Sequence, residues 1–260
     1  MMSSAVDFIV ALAPQYNAAV ERIAAGVILR FSLSLSDGRT VPYAIKAIEN
    51  GLVVSARELT PTNLPSFCPQ RHINYDGSFC LYWRGAATLD VVDEATAAEW
   101  WDTLWKYLTL QVRAQKVRRW PNDSEWAHGL AAQYQFAAET SAAVLSVDFA
   151  TALKEKRLHV VRRRKIYKLY MDGVHIFSVW CASKKVVNQK QRCFCGSSGR
   201  KRPKRIRRCG EHAAAASTLA IALVGWEVEE ASFWKSFEGK ACCNSCDDCP
   251  LKSPSTPKTE

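Results

Sequence analysis

Cys68-Pro-Gln-Arg-His72-Ile-Asn74-Tyr-Asp-Gly-Ser-Phe-Cys80-Leu81 sets one cysteine just past an Asp-Gly turn, with a histidine eight residues upstream. The run Phe79-Cys80-Leu81-Tyr82-Trp83 around it is apolar. A thiol at the mouth of a turn is placed to attack a carbonyl and carry the acyl group as a thioester. A deeply buried thiol is not, because the thiolate is the nucleophile and apolar burial suppresses it. The competing reading is a small core hydrophobe, the commoner role of a single Cys between Phe and Leu.

Upstream of this stretch, Ser3 or Ser4 caps a helix expected over about Ala5 to Ala25, with Pro14 breaking or kinking it. From Val27 the apolar period becomes two: Val27, Leu29, Phe31, Leu33 and Leu35 lead to an Asp37-Gly38 turn. Val41 to Ile48 reads as a second strand closed by Asn50-Gly51, and Leu52 to Arg57 as a third. Downstream, Thr96 to Val112 is a long amphipathic helix with Trp101, Leu104, Trp105, Leu108 and Val112 on one face. Trp100, Trp101 and Trp105 read as core. The segment Trp120-Pro-Asn-Asp123-Ser-Glu-Trp-Ala-His128-Gly129 ends that helix, and an Ala-rich helix follows from about Leu130.

Gly77-Ser78-Phe79-Cys80-Leu81 resembles the Gly-x-Ile-Cys-Leu segment of ubiquitin-conjugating enzymes, and Arg71-His72-Ile73-Asn74 stands where those enzymes carry His-Pro-Asn. The wording looks closer to divergent bacterial members of that fold than to eukaryotic ones. A helix, an antiparallel meander and then an irregular cysteine segment is also the element order of that family, and the resemblance covers most of residues 1–145. It implies that Cys80 accepts the C-terminal carboxylate of a protein modifier as a thioester and passes it to a lysine amine. His72 and Asn74 are then candidates for ordering the loop and donating an amide to the developing oxyanion. His72 has an alternative role as a hydrogen-bonding partner of the loop backbone. Asp123 and His128 are candidates for steering or deprotonating the lysine, or are caps and surface groups.

The chain has 260 residues and a formal charge of +10. Residues 1–150 hold 12 Lys/Arg against 15 Asp/Glu, and residues 151–260 hold 23 against 10. Two of the ten cysteines precede position 150. These asymmetries predict a boundary near residue 150, between a conjugating-type catalytic domain (1–150) and a basic cysteine-rich domain (151–260). The expected class is α+β, an antiparallel meander flanked by helices followed by a small zinc-binding module. The apolar run Ala213 to Trp226 is too short to span a bilayer, and Asp7 interrupts the first apolar stretch. No membrane association and a cytoplasmic location are therefore expected. In that compartment paired cysteines favour metal over disulfides.

In the second half, residues 155–181 read as a basic hairpin turning at Asp172-Gly173. Cys193-Phe-Cys195-Gly-Ser-Ser-Gly, a basic spacer and Cys209-Gly-Glu-His212 then resemble the SEC-C metal-binding motif. That resemblance implies one structural zinc on Cys193, Cys195, Cys209 and His212, with no open position. Cys242-Cys243-Asn-Ser-Cys246-Asp-Asp-Cys249 holds Cys-x2-Cys spacing twice over and suggests a second site. Cys243, Cys246 and Cys249 are its first candidates, Cys242 a possible fourth, and a ligand from elsewhere, such as Cys181, stays open. A frayed terminus is expected from about residue 250.

Arg200 to Arg208 carries seven positive charges in nine residues. It reads either as a weak, sequence-independent nucleic-acid contact or as a solvated loop between ligands. Bacterial members of the resembled family include conjugating components of CBASS anti-phage systems, which implies a cGAS-like nucleotidyltransferase as the modifier. The rival is a non-catalytic adaptor that uses the conjugating fold as a protein platform and the basic zinc module for nucleic acid. No Gly-rich adenylating loop is present, so activation would fall to another protein.

Overall fold

A computed structural model describes residues 4–86, 88–121, 126–187, 190–194 and 204–252. The chain divides into two units, Met1–Glu125 with Phe237–Glu260, and Trp126–Ser236.

In the first unit Ser4 and Asp7 form a reciprocal capping box at the start of α1 (Ala5–Leu12). Pro14 then turns the chain into a single 3-10 turn, Ala13–Tyr16, and Asn17 takes a left-handed conformation. The helix expected to reach Ala25 therefore stops here, because Pro14 lacks the N–H a further turn would need. The remainder becomes an edge strand, β1 (Ala19–Ile23). It is followed by β2 (Gly26–Ser34), β3 (Thr40–Asn50) and β4 (Val53–Glu58), all antiparallel in the order β1-β2-β3-β4. At Gly26, paired with Ile48, a Cβ would run into the Ala47 carbonyl, so only glycine lets the strands meet there.

Asp93 and Thr96 form a second capping box, which starts α2 (Glu94–Val117) two residues before the expected Thr96. This helix fills the face of the sheet. Trp100 donates from Nε1 to the Val54 carbonyl at 2.9 Å, and Trp101 to the Ile9 carbonyl at 3.0 Å. The two indoles thus satisfy their only donors while fully buried with Leu29, Leu33, Ile45, Leu104 and Leu108.

The second unit contains α3 (Ala131–Leu145), α4 (Val147–Lys154), the strands β5 (Leu158–Arg163), β6 (Ile166–Met171) and β7 (Val174–Trp180), and α5 (Gly210–Lys235). The expected hairpin is a three-stranded meander. Arg164, left-handed at φ 53°, turns the basic run back on itself, and Asp172-Gly173 makes the second turn. Alanines dominate the faces shared by α3 and α5: Ala138, Ala142, Ala216 and Ala220 are fully buried in one core with Leu145, Phe149, Leu169, Phe177 and Leu219. That core is why the division falls at Glu125/Trp126 and not near residue 150. The helices at 131–154 pack with the strands that follow them, while the change of charge marks only the solvated surface. No helix among the described residues is long and apolar enough to cross a membrane.

Candidate active site and metal centres

The loop between β4 and α2 presents Cys80, and its shape follows from a few local bonds. Cys68 and Ile73 exchange backbone hydrogen bonds of 3.1 and 3.0 Å around a 3-10 turn at Pro69–Arg71. His72 closes that turn in the left-handed region. Asn74 and Ser78 then flank the Asp76-Gly77 turn. Asp76 accepts from the Ser78 N–H at 3.0 Å and from its hydroxyl at 2.6 Å, and Gly77 supplies the φ of 78°. Phe79 donates to the Ala56 carbonyl at 2.8 Å, and Cys80 donates to the His72 carbonyl at 2.9 Å. Phe79 is buried and Cys80 next to it is exposed, so the alternation of an extended chain delivers the thiol to solvent.

Helix α2 holds this loop from below. Arg71 is 2% exposed, and its guanidinium donates to the Gln111 side chain at 2.7 Å and to the Gln111 carbonyl at 3.0 Å. Gln111 donates back to the Arg71 carbonyl at 2.6 Å, and the Tyr107 hydroxyl donates to the carbonyls of Arg71 and His72 at 3.2 and 3.0 Å. Burial pushes the Tyr107 hydroxyl far above its ordinary value, so it remains a donor. The sequence reading did not find Arg71, Tyr107 or Gln111. The helical spacing of Tyr107 and Gln111 on one face of α2 was the available signal.

The structure relates His72 to Cys80 through its carbonyl, while its ring lies 5.0 Å from that of Trp120. The Asn74 side-chain amide donates to the Ser78 hydroxyl at 3.0 Å and is exposed. Asp123 lies outside the described residues. His128 belongs to the second unit, where its Nδ1 meets the Glu230 carboxylate at 2.7 Å and its ring stacks on Phe233 at 4.7 Å.

Two groups of soft donors stand apart from Cys80. In the second unit the donor atoms of Cys193, Cys209 and His212 lie within 4.8 Å of one another. Backbone bonds between Cys193 and Lys204, and between Ile206 and Gln191, hold the two arms together. Cys209 is the N-cap of α5 and His212 sits in its first turn, which places the two side chains at the same end of the helix. These three residues fit a metal ion, and Cys195, the proposed fourth, lies outside the described residues.

The other group lies in the first unit and contains a residue the sequence reading left out. Cys68 is 1% exposed and within hydrogen-bonding reach of both Cys243 and Cys246. The Ser245 hydroxyl lies 3.0 Å from Cys243 Sγ and 3.8 Å from Cys68 Sγ. The bonds from Cys68 pull the Cys243 thiol down to about 5 and lower Cys246 as well, with Arg71 contributing to both shifts. Cys249 is buried and within reach of Cys242. The tail is anchored nearby. Arg118 binds the Asp247 carboxylate through both Nε and Nη2, and donates to the Asn244 carbonyl at 2.9 Å. Phe237 packs on Phe67 at 5.2 Å, and Lys240 Nζ lies 4.8 Å from the centre of the Tyr75 ring.

Residues 16–122 match the family model of the prokaryotic E2 domain, and residues 127–251 match that of the cysteine-rich domain C-terminal to the E2 domain. The chain carries a prokaryotic E2 domain followed by a cysteine-rich domain. The step between the two matches falls where the compact units divide. The E2 match spans the meander, the Cys80 loop and α2, so the α+β architecture expected from the sequence is the one observed. No curated protein and no solved structure matches the chain. The cysteine-rich match runs to residue 251, yet its last stretch, from Phe237, packs with the E2 unit.

Proposed function

We propose that the protein is a conjugating-type acyl transferase in which Cys80 carries the C-terminus of a protein modifier as a thioester and delivers it to a lysine amine. The observation that carries this reading is the exposed Cys80 at the end of a loop whose neighbours are buried and hydrogen-bonded to α2. A rigid scaffold holding an accessible thiol is what nucleophilic catalysis needs. An adaptor surface has no use for a thiol there. Thiolate attack on the activated carbonyl forms the thioester and expels the previous carrier. The amine then attacks the same carbonyl, expels the Cys80 thiolate and loses its proton to a base.

Within this reading Asn74 supplies an amide donor once its bond to Ser78 is given up, and His72 acts by fixing the backbone N–H of Cys80. A cGAS-like nucleotidyltransferase is the modifier that the resemblance to bacterial conjugating enzymes suggests. Zinc is the metal proposed for Cys193, Cys195, Cys209 and His212, because thiolates and imidazole closing a four-ligand set suit it and leave no catalytic position.

The test is to purify the protein with its activating and modifier partners and compare reducing with non-reducing gels. Wild type gives an adduct that reductant destroys, Cys80→Ser and Cys80→Lys give adducts that survive it, and Cys80→Ala gives none. An adduct that persists in Cys80→Ala, or that maps to Cys68, overturns the assignment.

A further inference from the structure

Arg71 poses an electrostatic problem that its hydrogen bonds do not solve. Its guanidinium is buried, its hydrogen-bond partner Gln111 is neutral, and no carboxylate pairs with it among the described residues. An isolated charge is costly in such a place, and it is tolerated when a counter-charge is buried beside it. The groups that can supply the counter-charge here are sulfurs. Cys68, three residues before Arg71, is buried with its sulfur 3.8 Å from the Ser245 hydroxyl, which in turn lies 3.0 Å from Cys243 Sγ.

We propose that Cys68 is a metal ligand, joining Cys243, Cys246 and Cys249 in a four-thiolate zinc site that ties the C-terminal tail to the loop leading to Cys80. Cys68, Cys246 and Cys249 are 1%, 0% and 5% exposed, as ligands of a closed structural site should be. Cys242 and Cys243 are both half-buried, and Cys243 is the one of the two within reach of Cys68. Cys181, the outside contributor that spacing alone left open, belongs to the other unit. On binding, each coordinating thiol releases its proton to solvent. Divalent zinc with four thiolates carries two net negative charges, and Arg71 offsets one of them.

The site would also act on catalysis without touching substrate. Cys68 and Ile73 are joined by paired backbone bonds, Ile73 bridges to Phe79, and Phe79 precedes Cys80. Fixing the Cys68 sulfur therefore fixes the base of the nucleophile's loop, which makes Cys68 a positioning residue. This inference is independent of the acyl-transfer reading, since metal content is measured with no modifier present.

Two measurements on the full chain decide it. Elemental analysis of wild type should find about two equivalents of zinc, since closed thiolate sites bind metal as they fold. Cys68→Ser and Cys246→Ser should each drop the total to half, as Cys209→Ser does for the other site, while Cys80→Ser keeps the wild-type content. Amide exchange over residues 68–82 should quicken in Cys68→Ser and stay unchanged in Cys209→Ser. Should Cys68→Ser fail to fold, cadmium-substituted wild type provides the answer by magnetic resonance. A metal resonance correlated with the β-protons of Cys68, Cys243, Cys246 and Cys249 supports the site. A tail resonance lacking Cys68, a folded Cys68→Ser with full zinc, or a Cys68–Cys243 disulfide found by mass spectrometry overturns it.

Discussion

Gln111 and Arg71 grip each other from both sides. The Gln111 side chain accepts from Arg71 Nε at 2.7 Å and donates to the Arg71 carbonyl at 2.6 Å. One side chain on the long helix thus reads both the main chain and the side chain of the loop before Cys80, and it fixes the loop's register as well as its position.

Replacing Gln111 with Leu should therefore cost more than an ordinary polar-to-apolar change. It removes bonds to a charged group and leaves a buried guanidinium and a carbonyl short of partners, for a loss of about 2–4 kcal/mol. Urea unfolding of the full chain measures this. Tyr107→Phe, which deletes a neutral donor to two carbonyls, should cost about 1–2 kcal/mol by the same measurement. Both variants should keep Cys80 chemically competent while slowing thioester formation.

The pair His128–Glu230 sets a pH dependence in the second unit. Burial pushes the Glu230 carboxyl up, but the hydrogen bond and charge of His128, with the bond from Trp234, outweigh it and leave the group below its ordinary value of 4.5. A carboxyl depressed on folding stabilises the fold above its unfolded value and loses that contribution as pH falls through its folded value. Wild-type stability should therefore decline below about pH 4.5 in part because Glu230 takes up its proton. His128→Gln should flatten that part of the decline. Thermal unfolding of both proteins across this range gives the comparison, and their difference cancels the protonation of metal ligands common to both.

Lys204, Arg205, Arg207 and Arg208 are exposed beside the Cys193–Cys209–His212 group. If this surface meets a polyanion, converting Arg205, Arg207 and Arg208 to Gln should weaken binding to a short duplex of mixed sequence. It should also flatten the dependence of affinity on salt, by roughly one unit of log–log slope for each lost phosphate contact. Thioester formation at Cys80 should be unchanged. A variant that fails in thioester formation yet binds the duplex normally would place these charges in the transfer site instead.

The sheet and long helix were legible because their signals are local. Val27 to Leu35 alternates cleanly, Asp37-Gly38 and Asn50-Gly51 mark the turns, and the tryptophans of α2 recur at helical spacing. Strand β1 was not, because Val20 and Ile23 lie three apart and suit a helix as well as an edge strand. Little burial there enforces a period: Val20 is 37% exposed. The turn at Arg164 was hidden for want of Gly or Asn in a run of four basic residues. The exposure of Cys80 could be read because the Asp76-Gly77 turn that sets it lies close in sequence. Cys68 could not, because the cysteines it meets are more than 170 positions away and no spacing rule spans such a gap. Arg71 was passed over because arginine is expected at the surface, and only its packing against Gln111 shows otherwise.

The tail that packs with Met1–Glu125 gives the chain an order of completion during synthesis. As the polypeptide leaves the ribosome, the meander, the Cys80 loop and the long helix emerge first, and the whole second unit must follow before Cys243, Cys246 and Cys249 arrive. In the proposed site, Cys68 would remain a bare thiol until then and Arg71 would lack its counter-charge. The loop that carries Cys80 would then be finished by residues made more than 150 positions later, so a prematurely released chain would expose an unbraced Cys80. Quality control of this protein would then be written into the direction of translation.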